Sequence, residues 1–187
     1  MNEPLRTLVK EKLKTHEDRF LHICGVEEVA IELAKIYHAS IEKASIAALA
    51  HDLFKHESIE EQTKWLDEKT ILKFKDIPVL YHAYSAAAYI EKELGIHDQD
   101  IINAVRYHVW GRPNMSLLEK IIYVADISEP NRDFLDAKVI RDLAKQDLDQ
   151  ALVLAMKLTI DYVIDQGFTP SIEQYEAFHY YKEVKRG

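Results

Sequence analysis

The stretch Ser40–Phe54 reads SIEKASIAALAHDLF and decides the fold. Ser40 is a natural N-cap, and a helix is expected from Ile41 to Phe54. Its middle, Ile46-Ala47-Ala48-Leu49-Ala50, is apolar, yet it runs into His51-Asp52. A buried aspartate beside a histidine needs something to neutralise it. The plain alternative is an ordinary helix C-terminus, where histidine suits the dipole. On this pair alone the two readings balance. Adjacent helical residues point about 100° apart, so both side chains can line one pocket wall. Lys55 follows Asp52 by one turn on the same face, within reach of a phosphate oxygen or of solvent.

Outward from this pair, His22, His82, His108 and Asp126 complete the order H…HD…H…H…D. The gaps are 29, 30, 26 and 18 residues, each about one helix plus a turn. The six side chains should therefore sit on separate helices and meet in the middle of a bundle. Neutral imidazole and carboxylate bind borderline divalent metals. Six exceed the needs of one tetrahedral zinc and suit two metals sharing a carboxylate.

Asp126 is the strongest single signal. It ends the apolar run Ile121-Ile122-Tyr123-Val124-Ala125, so it should be buried and in need of a cation or donors. His82 heads Ala83-Tyr84-Ser85-Ala86-Ala87-Ala88, whose small residues allow close helix approach; by itself it reads as a surface histidine at a tight contact. His108, in Tyr107-His108-Val109-Trp110-Gly111, reads alone as a structural histidine. Glu129, one turn past Asp126, is a candidate to hold a water or to remain a solvated loop carboxylate. Arg19, one turn before His22, is placed to touch phosphate or brace a carboxylate. Arg106, Arg112 and Arg132 flank ligands and offer forked donors for phosphate, or plain ion pairs. Cys24 reads as a small core residue. His16, His38, His56, His97 and His179 fit no pattern.

With 187 residues, the chain suits one domain with a core of its own. Only 5 Gly and 5 Pro, with abundant Ala, Leu, Ile, Glu and Lys, point to an all-α fold. Other helix starts are expected at Pro4, near Arg19 (running to Tyr37), at Pro78 and at Asp98. The capping boxes Ser58-x-x-Glu61 and Ser116-x-x-Glu119 open two more. Gly95, Gly111 and Gly167 read as stops; the last ends a long amphipathic segment, Asp147 to Gln166. Thr169-Pro170 is expected to cap a final helix carrying Tyr175, Phe178, Tyr180 and Tyr181. The irregular stretch from Ser128 to Phe134 is a natural place for substrate contacts.

A formal charge of −8 argues against nucleic-acid backbone as a partner. No apolar run reaches a membrane span. The single cysteine excludes an internal disulfide and a CxxC motif. With no cleavable signal apparent, a cytoplasmic protein is expected. There is no Walker-type loop and no Nudix-like run of glutamates.

The longer strings are more specific than the ligand order. They are Arg19-Phe20-Leu21-His22-x-x-Gly25-Val26, Ala47-Ala48-Leu49-Ala50-His51-Asp52-x-x-Lys55, and Tyr107-His108-x-x-Gly111-Arg112-Pro113-x-Met115-Ser116. The last runs from Glu119 through Ala125-Asp126-x-x-Glu129-Pro130-x-Arg132. The chain resembles the HD-domain metal-dependent phosphohydrolases, and within them the YqeK-like symmetrical diadenosine tetraphosphate hydrolases. The resemblance implies an HD-type helical bundle with a core of about 17–130 and C-terminal helices over 136–185 packed on it. It also implies a di-iron centre, although such a site would also take manganese, cobalt or zinc. His22, His51, Asp52 and Asp126 would hold one metal; Asp52, His82 and His108 would hold the other.

Activated hydroxide would attack an inner phosphorus of the dinucleoside tetraphosphate, giving two ADP. Asp52, Lys55 and Glu129 are then the candidate catalytic residues, and Arg19, Lys55, Arg112 and Arg132 the phosphate contacts. At Val109-Trp110 the chain departs from the hydroxylated residues usual in that family. Two rivals stand beside this reading: an HD nucleoside 5′-monophosphatase with one metal, and a nucleotide sensor without turnover. A homodimer through the aromatic last helix is open.

Overall fold

The computed structural model describes residues 2–184. The expected terminal boundary at residue 185, and residues 1, 186 and 187 of the expected domain, lie outside them. Among the described residues every regular element is helical. The helices are α1 (Asn2–Lys12), α2 (Glu17–Ile36), α3 (Ile41–Ala50), α4 (Ile59–Thr63), α5 (Glu68–Lys73) and α6 (Tyr81–Lys92). They continue with α7 (Gln99–Arg106), α8 (Leu117–Ser128), α9 (Leu135–Ala144), α10 (Leu148–Asp165) and α11 (Ile172–Val184).

Helix α3 lies at the centre because its sequence leaves it no face for water. Ala44 through Ala50 are all buried, and a helix apolar on every side belongs inside a bundle. It packs against α1, α2, α7 and α8, and α8 in turn packs against α2, α7, α9 and α10. Ile23, Leu33, Leu49, Ile121 and Ile122 are shielded from water. Burial of each such side chain contributes about 1.5–3 kcal/mol. On α6, buried Ala83, Ala86 and Ala87 lie on the side that carries His82.

Most helix starts fall where the caps predict. Asp98 accepts from the Asp100 and Ile101 amides. The segment from Asp147 is capped by that residue itself, which accepts from the Gln150 amide. Ser116 and Glu119 form both halves of a capping box. Ser58 makes only its own half, since the Glu61 carboxylate pairs with Lys64 instead.

Three boundaries differ from expectation. The helix opened by Ser40 stops at Ala50, and residues 51–57 form successive i→i+3 turns, Leu53 to Ala50, Lys55 to Asp52 and Glu57 to Phe54. These tighter turns leave Asp52 on a bend. Pro78 starts a 3-10 turn, Pro78–Leu80, before α6 begins at Tyr81. The last helix is capped by Ser171, not Thr169-Pro170: Ser171 and Gln174 exchange backbone-to-side-chain bonds of 3.0 and 3.2 Å. Tyr181 ties α11 to the loop before α8: its hydroxyl accepts from the Met115 backbone amide at 2.5 Å. No helix among the described residues is long and apolar enough to cross a membrane.

Candidate metal centre

All six expected ligands converge. His22 comes from α2, His51 and Asp52 from the end of α3, His82 from α6, His108 from just past α7, and Asp126 from α8. The donor atoms form three overlapping groups, each within 4.8 Å: His22, His51 and Asp52; His51, His108 and Asp126; Asp52, His82 and His108.

Asp52 is the hinge of the arrangement. Its Oδ1 lies 3.1 Å from His82 Nε2 and 3.5 Å from His108 Nε2. Its Oδ2 lies 3.5 Å from His51 Nε2 and 3.8 Å from His22 Nε2. One carboxylate thus presents a separate oxygen to each pair of imidazoles. Arg19 Nη1 braces Oδ2 at 2.8 Å, which makes Arg19 a carboxylate brace as well as a recess wall.

Three of the four imidazoles are oriented by one device. His51 Nδ1 contacts the Ala48 carbonyl at 2.6 Å, His82 Nδ1 that of Val79 at 2.6 Å, and His108 Nδ1 that of Val105 at 2.7 Å. A carbonyl only accepts, so each Nδ1 carries the proton and each Nε2 lone pair faces the centre. Each bond reaches back three residues, which works because the three histidines stand at helix ends or turns. His22 uses a carboxylate instead, with Glu129 Oε1 3.1 Å from its Nδ1. Histidine ligands are commonly held this way by a carboxylate or carbonyl behind them.

Glu129 is buried and faces away from the ligand cluster. Its Oε2 accepts from the Asn131 backbone and side-chain amides at 2.6 and 2.9 Å. It stands behind His22 and is not placed to hold a water in front of it. Gly25 makes this possible, since a Cβ there would overlap the Glu129 carboxylate and come within 2.9 Å of Asn131 Nδ2.

Burial lowers the pKa of His51, and takes that of His82 down to about 4 despite neighbouring Asp52. Both are neutral near pH 7. Burial also opposes charge on His22, but the neighbouring carboxylates of Asp126 and Glu129 outweigh it and raise its pKa. Burial alone would raise Asp52, yet His51, His108 and His82 hold it well below the usual carboxylate range. Asp126 is likewise held low, chiefly by His22 and His51 and then by Arg132.

Buried His22 Nε2, His51 Nε2 and Asp52 Oδ1 have no hydrogen-bond partner. Orphaned acceptors of this kind are costly unless a cation meets them. The donor set is imidazole and ionised carboxylate, and His22 becomes a ligand by giving up its proton, so the site fits one or two divalent metal ions.

The centre opens into a recess of about 210 Å³ lined by Arg19, Asp52, Lys55, His108, Asp126 and Arg132. Asp126 is less enclosed than its apolar run implies: its side chain is 17% exposed, against 4% for Asp52. The reason is its place on the recess wall, where Arg132 holds Oδ1 at 2.7 Å and the backbone carbonyl at 3.0 Å. Arg112 lies elsewhere, forked onto buried Glu119 at 2.7 and 2.8 Å. Cys24 is half-buried beside Arg6, outside the ligand groups. Val109, Ile127 and Thr159 also line the recess. Thr159 reaches it from α10, and nothing in that amphipathic helix marks it.

Residues 19–131 match the family model described as HD domain. The chain is 44% identical over 164 residues to a "Bis(5'-nucleosyl)-tetraphosphatase, symmetrical" of Halalkalibacterium halodurans, covering 86% of each. It is also 44% identical to a Bacillus subtilis protein of the same name, over 85% of this chain and 86% of that one. A crystal structure titled "predicted HD superfamily hydrolase involved in NAD metabolism", from Clostridium acetobutylicum, superposes with a TM-score of 0.88 at 35% identity. It covers 100% of this chain and 98% of that one.

Proposed function

The chain belongs to the HD-domain family, within its symmetrical bis(5'-nucleosyl)-tetraphosphatases, and from that premise we propose that it hydrolyses diadenosine tetraphosphate into two ADP. The observation that carries this reading is Asp52. Its two oxygens face separate histidine pairs at the floor of a recess rimmed by Arg19, Lys55 and Arg132. A monophosphatase with one metal has no need of a carboxylate shared in this way, and a sensor has no need of six convergent ligands.

His22, His51, Asp52 and Asp126 would hold one ion and Asp52, His82 and His108 the other, with Asp52 between them. We assign iron, with manganese, cobalt and zinc as the alternatives that metal analysis distinguishes. Bound divalent ions lower the pKa of water toward neutrality and offset charge on phosphoryl oxygens. The chain's own residues do the rest. The Nδ1 contacts keep four Nε2 atoms aimed at the centre. Lys55 and Arg132 line the recess and supply positive charge to the polyphosphate. Arg19 keeps Asp52 oriented. Glu129 acts through His22 as a positioning residue. Water attacks an inner phosphorus in line with the departing ADP, and no covalent enzyme intermediate forms. One HD-type unit, with a core of about 17–130, carries the reaction.

The test is product analysis. The protein is loaded with ferrous iron without oxygen, given diadenosine tetraphosphate, and its nucleotides are resolved by chromatography. ADP alone is expected. ATP plus AMP overturns the cleavage position, and no turnover in protein holding two metals overturns the substrate. His51→Ala that keeps full metal content and activity overturns the ligand set.

A further inference from the structure

Val109 separates two recesses. On one side is the metal recess, whose walls are charged. On the other is a recess of about 200 Å³ lined by Phe74, Tyr84, Arg106, Tyr107, Val109 and Trp110. Val109 and His108 are consecutive, so the wall of the aromatic recess continues directly from a metal ligand. This wall is packed, not loose: Val109 and Trp110 sit on a small second core of Phe74, Leu80 and Tyr81.

Two ring pairs meet edge to face: Phe74 and Trp110 lie 6.4 Å apart at 82°, and Tyr84 and Tyr107 lie 6.2 Å apart at 81°. Phe74 and Tyr84 are tilted at 46°, and the Arg112 guanidinium covers one face of Tyr107. Ring faces are therefore not spent on parallel stacking with one another, and a planar ligand can lie against one. Two neighbouring cations are already committed, Arg112 to Glu119 and Lys73 to Glu173. Arg106 has no carboxylate partner among the described residues. The recess is smaller than the roughly 300–1,000 Å³ typical of clefts that take an entire drug-sized ligand. It suits one ring system.

In a tetraphosphate attacked at an inner phosphorus, one phosphate and a ribose separate that phosphorus from the nearer base, and two phosphates and a ribose separate it from the farther one. The charged metal recess suits phosphates, so at least one base must leave it. We propose that the Tyr84–Tyr107–Trp110 recess is the subsite for one purine base of the substrate, with Arg106 on the adjoining ribose hydroxyls. This rests on the phosphohydrolase reading above. It makes Trp110 a specificity residue: the base stacks, and the metal centre sees only the polyphosphate.

Steady-state kinetics of the metal-loaded enzyme test it. KM for diadenosine tetraphosphate is measured beside Ki for inorganic tetraphosphate, which has no base. Trp110→Ala is expected to raise KM by roughly tenfold or more, the loss typical of one stacked base. The Ki for inorganic tetraphosphate should stay unchanged, and Trp110→Phe should restore most of the affinity. Arg106→Gln, at a partly exposed position, should raise KM several-fold in the same selective way, and it serves if Trp110→Ala does not fold. An unchanged KM in the folded variants overturns the subsite. So does an equal loss toward both compounds, which marks structural support of the ligands.

A second readout separates this proposal from the activity. In Trp65→Phe, Trp110 is the one remaining tryptophan. Quenching of its fluorescence by ADP supports the subsite even where turnover of the tetraphosphate is absent. Turnover with no quenching by ADP overturns the subsite and leaves the activity standing.

Discussion

His22 Nδ1 lies 3.1 Å from Glu129 Oε1, and the Glu129 carboxylate can lie there because Gly25 beside it has no side chain. Three other histidines are aimed by backbone carbonyls that the fold supplies in any case. His22 alone depends on a distant carboxylate, brought in by the loop after α8 and fixed by Asn131. This makes the His22 side of the centre the one most open to tuning.

Glu129→Gln should weaken metal binding by 10- to 100-fold, the usual cost of losing a carboxylate behind a histidine ligand. Turnover at saturating metal should fall much less. Competition with a chelator of known affinity measures the first, and kcat at high metal the second. A kcat loss with unaltered metal affinity would instead put Glu129 in contact with substrate.

Gly25→Ala should reproduce that loss without touching either partner, because its methyl displaces the Glu129 carboxylate. In a Gly25→Ala, Glu129→Ala double variant the two effects on metal affinity should not add. Full additivity would mean that Gly25 matters for packing of α2 and not for Glu129.

Arg112→Ala should cost stability more than activity. It strips the forked partner from Glu119, which is 2% exposed. Removing one member of a buried pair costs about 3–5 kcal/mol; with Arg112 about one-third exposed, about 2 kcal/mol is expected. Urea denaturation reads this directly. A variant of native stability that has lost affinity for the nucleotide would return Arg112 to the phosphate contacts.

The metal-free protein should be most stable near pH 6.5. His51 and His82 are lowered in the fold, so below the ordinary imidazole value of about 6.5 the unfolded chain binds more protons. Stability is then lost as pH falls, for His82 down to about 4. His22 is raised, so its contribution is complete below 6.5 and is lost as pH climbs through its folded pKa. Metal requires neutral His22 and should abolish the alkaline decline. Thermal melts from pH 5 to 9, with and without metal, check both limbs. A metal-free protein that only gains stability toward pH 9 would contradict the sign for His22.

The helical class, the caps at Ser40, Asp98 and Ser116, and the gathering of six candidate metal-binding side chains were legible in residue order alone. Local physics explains this. Capping is a matter of three or four residues. A carboxylate beside an apolar run, as at Asp52 and Asp126, is costly wherever the run is buried. The ligand gaps match helix lengths, so their convergence follows from packing helices around α3. What lay beyond reach was set by contacts across more than a hundred residues or by the direction of a single side chain. Glu129 turns inward behind His22 because Gly25 leaves space and Asn131 supplies donors. Arg112 turns from the recess to Glu119. Asp126 sits on an open wall. Thr159 arrives from a helix whose sequence is merely amphipathic. Spacing determines which residues can gather at a centre, but which way a forked or charged side chain points depends on the partner that desolvates least for it, and only the tertiary structure decides that.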